Sequence, residues 1–206
     1  MALATYSDLQ ASVATWLDRT DLTATIPDFI AMAEAAINRD LRHWRMVSRS
    51  TAAFDGRYTE LPVDWLATIR LTMGNASQGY RALTLMAHDQ MERDRASQGD
   101  TADVPRCYAH VGDEIEVWPS PNASLTGELT YYAKVPALTV SATTNWLLTN
   151  APDAYLYGSL IASATYLHED QRLAVWGNLF AGTIAKLNAE SAAAATSGTL
   201  RIRPPR

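Results

Sequence analysis

The run Ile26 to Leu61, IPDFIAMAEAAINRDLRHWRMVSRSTAAFDGRYTEL, changes its hydrophobic period once, near Met46. Before that point Ile26, Phe29, Ile30, Ala33, Ile37 and Leu41 recur at helical spacing, while Glu34, Asn38 and Arg42 fall off the stripe. Thr25 stands where an N-cap belongs, and Pro27 lies in the first turn, where its missing N–H does no harm. After Met46 the pattern alternates from Val47 to Phe54, as a half-buried strand does. Asp55-Gly56 is a tight-turn signal, which predicts a return strand over Tyr58 to Leu61 paired with the first.

Toward the N-terminus the helical period continues. Thr5 and Asp8 have the spacing of a capping box, and Leu9, Val13, Trp16 and Leu17 form the stripe behind it. Toward the C-terminus the alternation persists for nearly a hundred residues. Ile69, Leu71 and Met73 share one face of a predicted strand, and Arg81 to Leu85 reads as another. A polar helix is expected from Met86 to Ala96, then an exposed loop from Ser97 to Asp103. Arg106 to Val111 and Glu114 to Trp118 flank Gly112-Asp113, a hairpin turn with glycine first, and Glu114 and Glu116 are expected on the solvated side. Gly127 to Lys134 is the last strand-like run. Helical spacing then returns. Asn150-Ala151-Pro152-Asp153 starts a helix with stripe Leu156, Leu160, Ala164 and Leu167, and after His168-Glu169-Asp170 a second helix carries Leu173, Trp176, Phe180, Ile184 and Leu187. Gly158, Gly177 and Gly182 lie inside these helices, where each costs about 1 kcal/mol relative to Ala, so close helix–helix approach or a special contact is the expected compensation.

The order predicts an α+β fold. The terminal helices, residues 1–45 and 147–198, form a helical bundle; residues 46–146 form an inserted antiparallel β module; residues 199–206 form an extended C-terminal arm.

Composition narrows the function. The chain has 206 residues, 48% of them hydrophobic and 19% charged, a globular balance. One cysteine, Cys107, excludes an internal disulfide, and neither a signal peptide nor a membrane span is evident, so folding in a cytoplasm is expected. A net charge of −5 speaks against a general nucleic-acid binder. Of the 17 basic residues only Lys134 and Lys186 are lysines, and Arg201, Arg203 and Arg206 crowd the end beside Pro204 and Pro205.

No catalytic, cofactor or metal site is expected. His43, His88, His110 and His168 lie far apart without metal-ligand spacing. Adjacent residues of a helix diverge, so His168, Glu169 and Asp170 read as a polar junction. Cys107 sits in a strand and reads as a small buried hydrophobe. Six tryptophans are numerous for this length, and Trp16, Trp44 and Trp176 are candidate interface residues, because Trp is enriched where interfaces hold tightest.

Several phrases, in this order and spacing, carry a resemblance. They are Thr-Tyr-Ser-Asp-Leu at 5–9, Trp-Leu-Asp-Arg-Thr-Asp-Leu at 16–22, Ile-Pro-Asp-Phe-Ile at 26–30 and Ile-Asn-Arg-Asp-Leu-Arg at 37–42. Leu-Pro-Val-Asp-Trp-Leu at 61–66, Trp-Pro-Ser-Pro at 118–121, Leu-Thr-Tyr-Tyr at 129–132 and Ala-Pro-Asp-Ala-Tyr-Leu-Tyr-Gly at 151–158 follow. From Thr5 to Leu200 the chain resembles the head-to-tail adaptors of tailed bacteriophages, which include tail tubular protein A. The resemblance implies a structural virion protein of the neck, in a ring of usually twelve copies beneath the portal protein. It also implies a downstream tail or nozzle protein as partner, and packaged DNA passing through the channel without sequence-specific binding. The bundle and the arm would face the portal or neighbouring subunits, with Arg201, Ile202, Arg203, Pro204, Pro205 and Arg206 as the portal-binding arm. The alternatives are another neck or tail-completion ring protein, or a carbohydrate-binding or hydrolase module of a tail.

Overall fold

A computed structural model describes residues 3–75, 79–167 and 172–196. The chain divides into two compact units, residues 1–46 with 135–206, and residues 47–134. The fold is α+β.

The first unit is helical. Helix α1, Tyr6–Leu17, begins on the expected capping box: Thr5 Oγ1 accepts from the Asp8 N–H at 3.2 Å, and Asp8 Oδ2 accepts from the Thr5 N–H at 3.0 Å. Helix α2, Ile26–Asp40, buries the predicted stripe. Thr25 does not cap it; its backbone is already helical, because the Thr25 and Ile26 N–H groups bond back to the Leu22 carbonyl. The polar residues off the stripe fasten the chain where it returns from the strands. Asn38 Oδ1 accepts from the Val135 N–H at 2.9 Å, and Glu34 Oε1 from the Leu138 N–H at 2.7 Å. Residues 135–146 therefore cluster with the helices, and the β module ends at Lys134 rather than at 146.

A short helix α4, Trp146–Asn150, capped by Asn145, precedes α5, Pro152–Leu167. Helix α5 is the central one. Ala154, Tyr155, Leu156 and Leu160 are buried, and so are Ser159 and Ser163, whose hydroxyls donate to backbone carbonyls one turn back. A Cβ at Gly158 would stand 2.9 Å from Ala33 Cβ on α2 and 3.2 Å from Phe180 on α6, Leu173–Thr196. The close approach expected at Gly158 is thus real. At Gly177 and Gly182 nothing lies within 4 Å of the missing Cβ, so packing within this chain does not explain them.

Among its described residues the second unit holds eight strands in two sheets. One sheet has the order β1, Val47–Phe54; β8, Leu125–Ala133; β3, Trp65–Asn75; β4, Gly79–Ala82. The other runs β2, Tyr58–Glu60; β7, Glu114–Trp118; β6, Cys107–Val111; β5, Thr84–Leu85. The predicted pairing across Asp55-Gly56 is wrong. Val47–Phe54 pairs with β8, and Tyr58–Glu60 pairs with β7 in the other sheet. Gly56 lacks the positive φ that a two-residue hairpin turn demands, so the chain crosses between sheets instead. Gly112 has φ 61° and does close the expected hairpin, with Val111 opposite Glu114. A β-bulge between Thr68 and Arg70 takes Ile69 off the face it was expected to share, leaving it 45% exposed while Leu71 and Met73 are fully buried.

Phe54, Leu71, Met73, Ile115, Val117 and Leu125 pack between the sheets. On the opposite face of the second sheet, helix α3, His88–Gln98, rests on Cys107, Ala109 and Trp118 through Met91, its one buried residue.

Candidate functional site

Helix α3 covers the face of β7 that carries Glu116, and this overturns the expectation that Glu116 is solvated. Its side chain has no exposed surface. Oε1 accepts from Arg57 Nε at 2.5 Å, and Oε2 lies 3.1 Å from His88 Nδ1. Arg95 Nη2 stands 2.8 Å from Oε1, within ion-pair reach though off the hydrogen-bonding line. Glu92, one turn along α3 from His88, bonds both Arg57 and Arg95. Arg95 also pairs with Asp100, which accepts from the Ser120 N–H at 2.9 Å and hydroxyl at 2.8 Å. Burial works against the charge on Asp100, but the bonds from Ser120 and the nearby guanidiniums hold its carboxyl below the usual carboxylate range.

Ligand atoms of His88, Glu92 and Glu116 lie within 4.8 Å of one another, the composition of a metal-binding trio. The chemistry argues otherwise. Two guanidiniums already pair with Oε1 of both carboxylates, and their positive charge opposes a further cation beside them. The cluster is complete as an ion-pair network that clamps α3 to the sheet. Sequence alone missed it, although a signal was present: the helix HDQMERDRASQ carries one buried apolar residue and must be held by something else.

Cys107 is buried, its thiol directed at the Trp118 carbonyl 3.5 Å away, and burial pushes the thiol up, so it is a poor nucleophile. His168, Glu169 and Asp170 lie outside the described residues, as does the arm, Arg201 to Arg206. Trp16 meets Tyr157 edge-on at 6.2 Å and Trp44 lies under the Arg45 guanidinium; both keep nearly half their surface exposed. Trp176 is buried, with Arg172 over its ring at 4.8 Å.

The second unit also holds a cavity of about 530 Å³ where the 61–66 turn meets the β6–β7 hairpin. Pro62, Val63 and Trp65 supply an apolar wall, and Val63 is 96% exposed. The turn is held rigidly: Asp64 Oδ1 accepts from the Tyr131 hydroxyl at 2.9 Å, and the Asp64 carbonyl from the Lys134 N–H at 2.7 Å. Glu60, Asp113 and Glu114 supply an acidic wall, opposed by Lys134 alone. Glu60 and Glu114 face each other directly across β2 and β7, and neither has an ion pair among the described residues.

A model of the SU10 adaptor protein matches residues 4–203, which takes in both units and the turn that walls the cavity. The chain belongs to the SU10 adaptor protein family. No curated protein matches it. The SU10 adaptors are phage head-to-tail adaptors, so the chain is a phage adaptor protein. An adaptor's work is contact with other structural proteins of the neck, and a structural family fits the expectation of a non-enzymatic chain. Among the described residues no helix is long and apolar enough to cross a membrane.

Proposed function

We propose that this adaptor assembles into a closed ring, of about twelve copies as its resemblance to the tail tubular proteins implies, seated between the portal protein and a downstream tail or nozzle protein. The family match across both units carries the reading. Copies pack head to tail through unlike faces, so that the rotation closes. Trp16 and Trp44, half exposed on the helical unit, are the aromatic anchors such faces use. The net charge of −5 suits a channel through which DNA slides without sequence-specific binding. The arginines of 201–206 pair with carboxylates on whatever surface receives them.

Electron microscopy of the chain mixed with its portal is the test. Ring-shaped density on one portal face is the expected result. A chain that stays monomeric and ignores the portal would overturn the reading, and binding to glycans in the same assay would favour a tail module instead.

A further inference from the structure

The facing pair Glu60 and Glu114 is unexplained by the fold. Like charges directly opposite on neighbouring strands are destabilising, and Asp113 adds a third carboxylate against the single Lys134. A rigid apolar wall of Pro62, Val63 and Trp65 stands across the same cavity, with Val63 almost wholly exposed. An acidic wall facing a proline- and tryptophan-lined wall is chemistry that receives an extended, basic, proline-bearing segment: the rings pack on proline, and the carboxylates pair with flanking arginines.

The chain itself carries such a segment. Beyond Thr196, the last described residue of α6, the sequence includes Leu200-Arg201-Ile202-Arg203-Pro204-Pro205-Arg206. They include three arginines and no acidic side chain, against three carboxylates and one lysine in the cavity. Consecutive prolines such as Pro204-Pro205 favour polyproline II, which rises about 3.1 Å per residue. We propose that the cavity lined by Glu60, Asp113, Glu114 and Trp65 receives residues 200–206 of another copy of this chain. The assignment to another copy rests on the ring reading. A tail on one unit that fits a cavity on the other is a contact between unlike patches, the kind that propagates around an axis until it closes. The carboxylates that the arm was expected to find on the portal are present on the adaptor itself.

Two full-length variants test this. In one, Arg201, Arg203 and Arg206 are changed to Ala, leaving the cavity intact. In the other, Glu60→Gln and Glu114→Gln blunt the cavity; this removes a like-charge pair, so the variant folds at least as well as the parent. A labelled peptide of residues 199–206 is titrated into each by fluorescence anisotropy. Saturable binding to the arm variant is expected, weakened about tenfold in the cavity variant and weakened again by salt. No saturable binding, or equal binding to both, overturns the proposal. Mixing the two variants then isolates the copy-to-copy claim, since one supplies a working cavity and the other a working arm. Sedimentation is expected to show a pairwise complex that neither variant forms alone. If the peptide binds but no pair forms, the arm belongs to its own chain's cavity or to the portal, and the assignment to another copy fails. Failure of peptide binding while rings still form on the portal leaves the ring reading standing and removes only this inference.

Discussion

The helical unit and the β unit are stabilised in different currencies of information. In the helical unit the contacts that matter repeat at 3.6 residues: the α2 stripe is buried as written, Leu156, Leu160 and Ala164 of α5 are buried, and of the α6 stripe Trp176 and Ile184 are buried while Leu173 is 43% exposed. In the β unit the sheet-to-sheet core is equally apolar, but the outer layer is not. Helix α3 rests on one methionine and a polar network in which Arg57, His88, Glu92 and Arg95 surround Glu116. A stripe tolerates small changes of volume, whereas a buried charge with its partner removed has no substitute in a low-dielectric setting. The two units are therefore expected to fail in different ways.

The sharpest test of that contrast is Glu116→Gln. It keeps the shape and removes the fully buried charge that Arg57 and Arg95 both face, leaving the Arg95 guanidinium, 11% exposed, with only Glu92 and Asp100. Breaking a buried pair from one side costs about 3 kcal/mol when nothing else compensates the charge left behind, and the remaining carboxylates bring the expected loss below that. Denaturant unfolding should register the loss, and hydrogen exchange should place it in α3 and β6–β7 with α5 and α6 unaffected. Equal loss of protection in both units would dissolve the distinction. Glu116→Leu with Arg95→Met, which removes charge from both sides, should recover part of the stability.

What the sequence disclosed follows the same line. The period change at Met46, the capping box at Thr5, the glycine-first hairpin at Gly112 and the approach at Gly158 are local or periodic, and each stands in the structure. The pairing of Val47–Phe54 with Leu125–Ala133 joins residues some eighty positions apart, and nothing in the Asp55-Gly56 signal distinguishes a hairpin from a crossing between sheets. The solvated face assigned to Glu116 failed for a related reason. Strand alternation says which side a residue is on, and says nothing of a helix laid over that side. The cavity was half legible: the Leu-Pro-Val-Asp-Trp phrase stood out, while the Glu60–Glu114 register that completes it is non-local.

Within the helical unit the glycines set up the next comparison. Gly158→Val drives a side chain into Ala33 and Phe180, and overpacking of this kind costs about 2 kcal/mol. Gly182→Ala meets open space and gains helix propensity, so it should stabilise the isolated chain by about 1 kcal/mol. Thermal melts of the two variants should move in opposite directions. A destabilised Gly182→Ala would mean that α6 needs glycine there for a reason other than packing.

The gentlest effect is one of pH. His43 is 2% exposed, its ring stacked on Trp146 at 5.2 Å; Nδ1 accepts from the Arg45 N–H at 3.2 Å, and Nε2 is buried with no partner. Burial, aided by Arg45 and only partly opposed by Glu190, lowers its pKa, so the folded unit holds the neutral ring. The unfolded chain binds a proton near the ordinary value of about 6.5. A depressed histidine contributes stability in full above that value, and the contribution is lost as pH falls through and below it, because the unfolded state then binds the extra proton. Denaturation of the helical unit, followed at intervals from pH 7.5 to 5.5, should show stability falling toward acid, and His43→Phe should flatten that slope. Burial also lowers the pKa of His110 in the β unit, so a slope of the same sign is expected there and should survive the His43 change. Loss of both slopes on changing His43 alone would show that the two units do not unfold independently, and would undo the contrast between them.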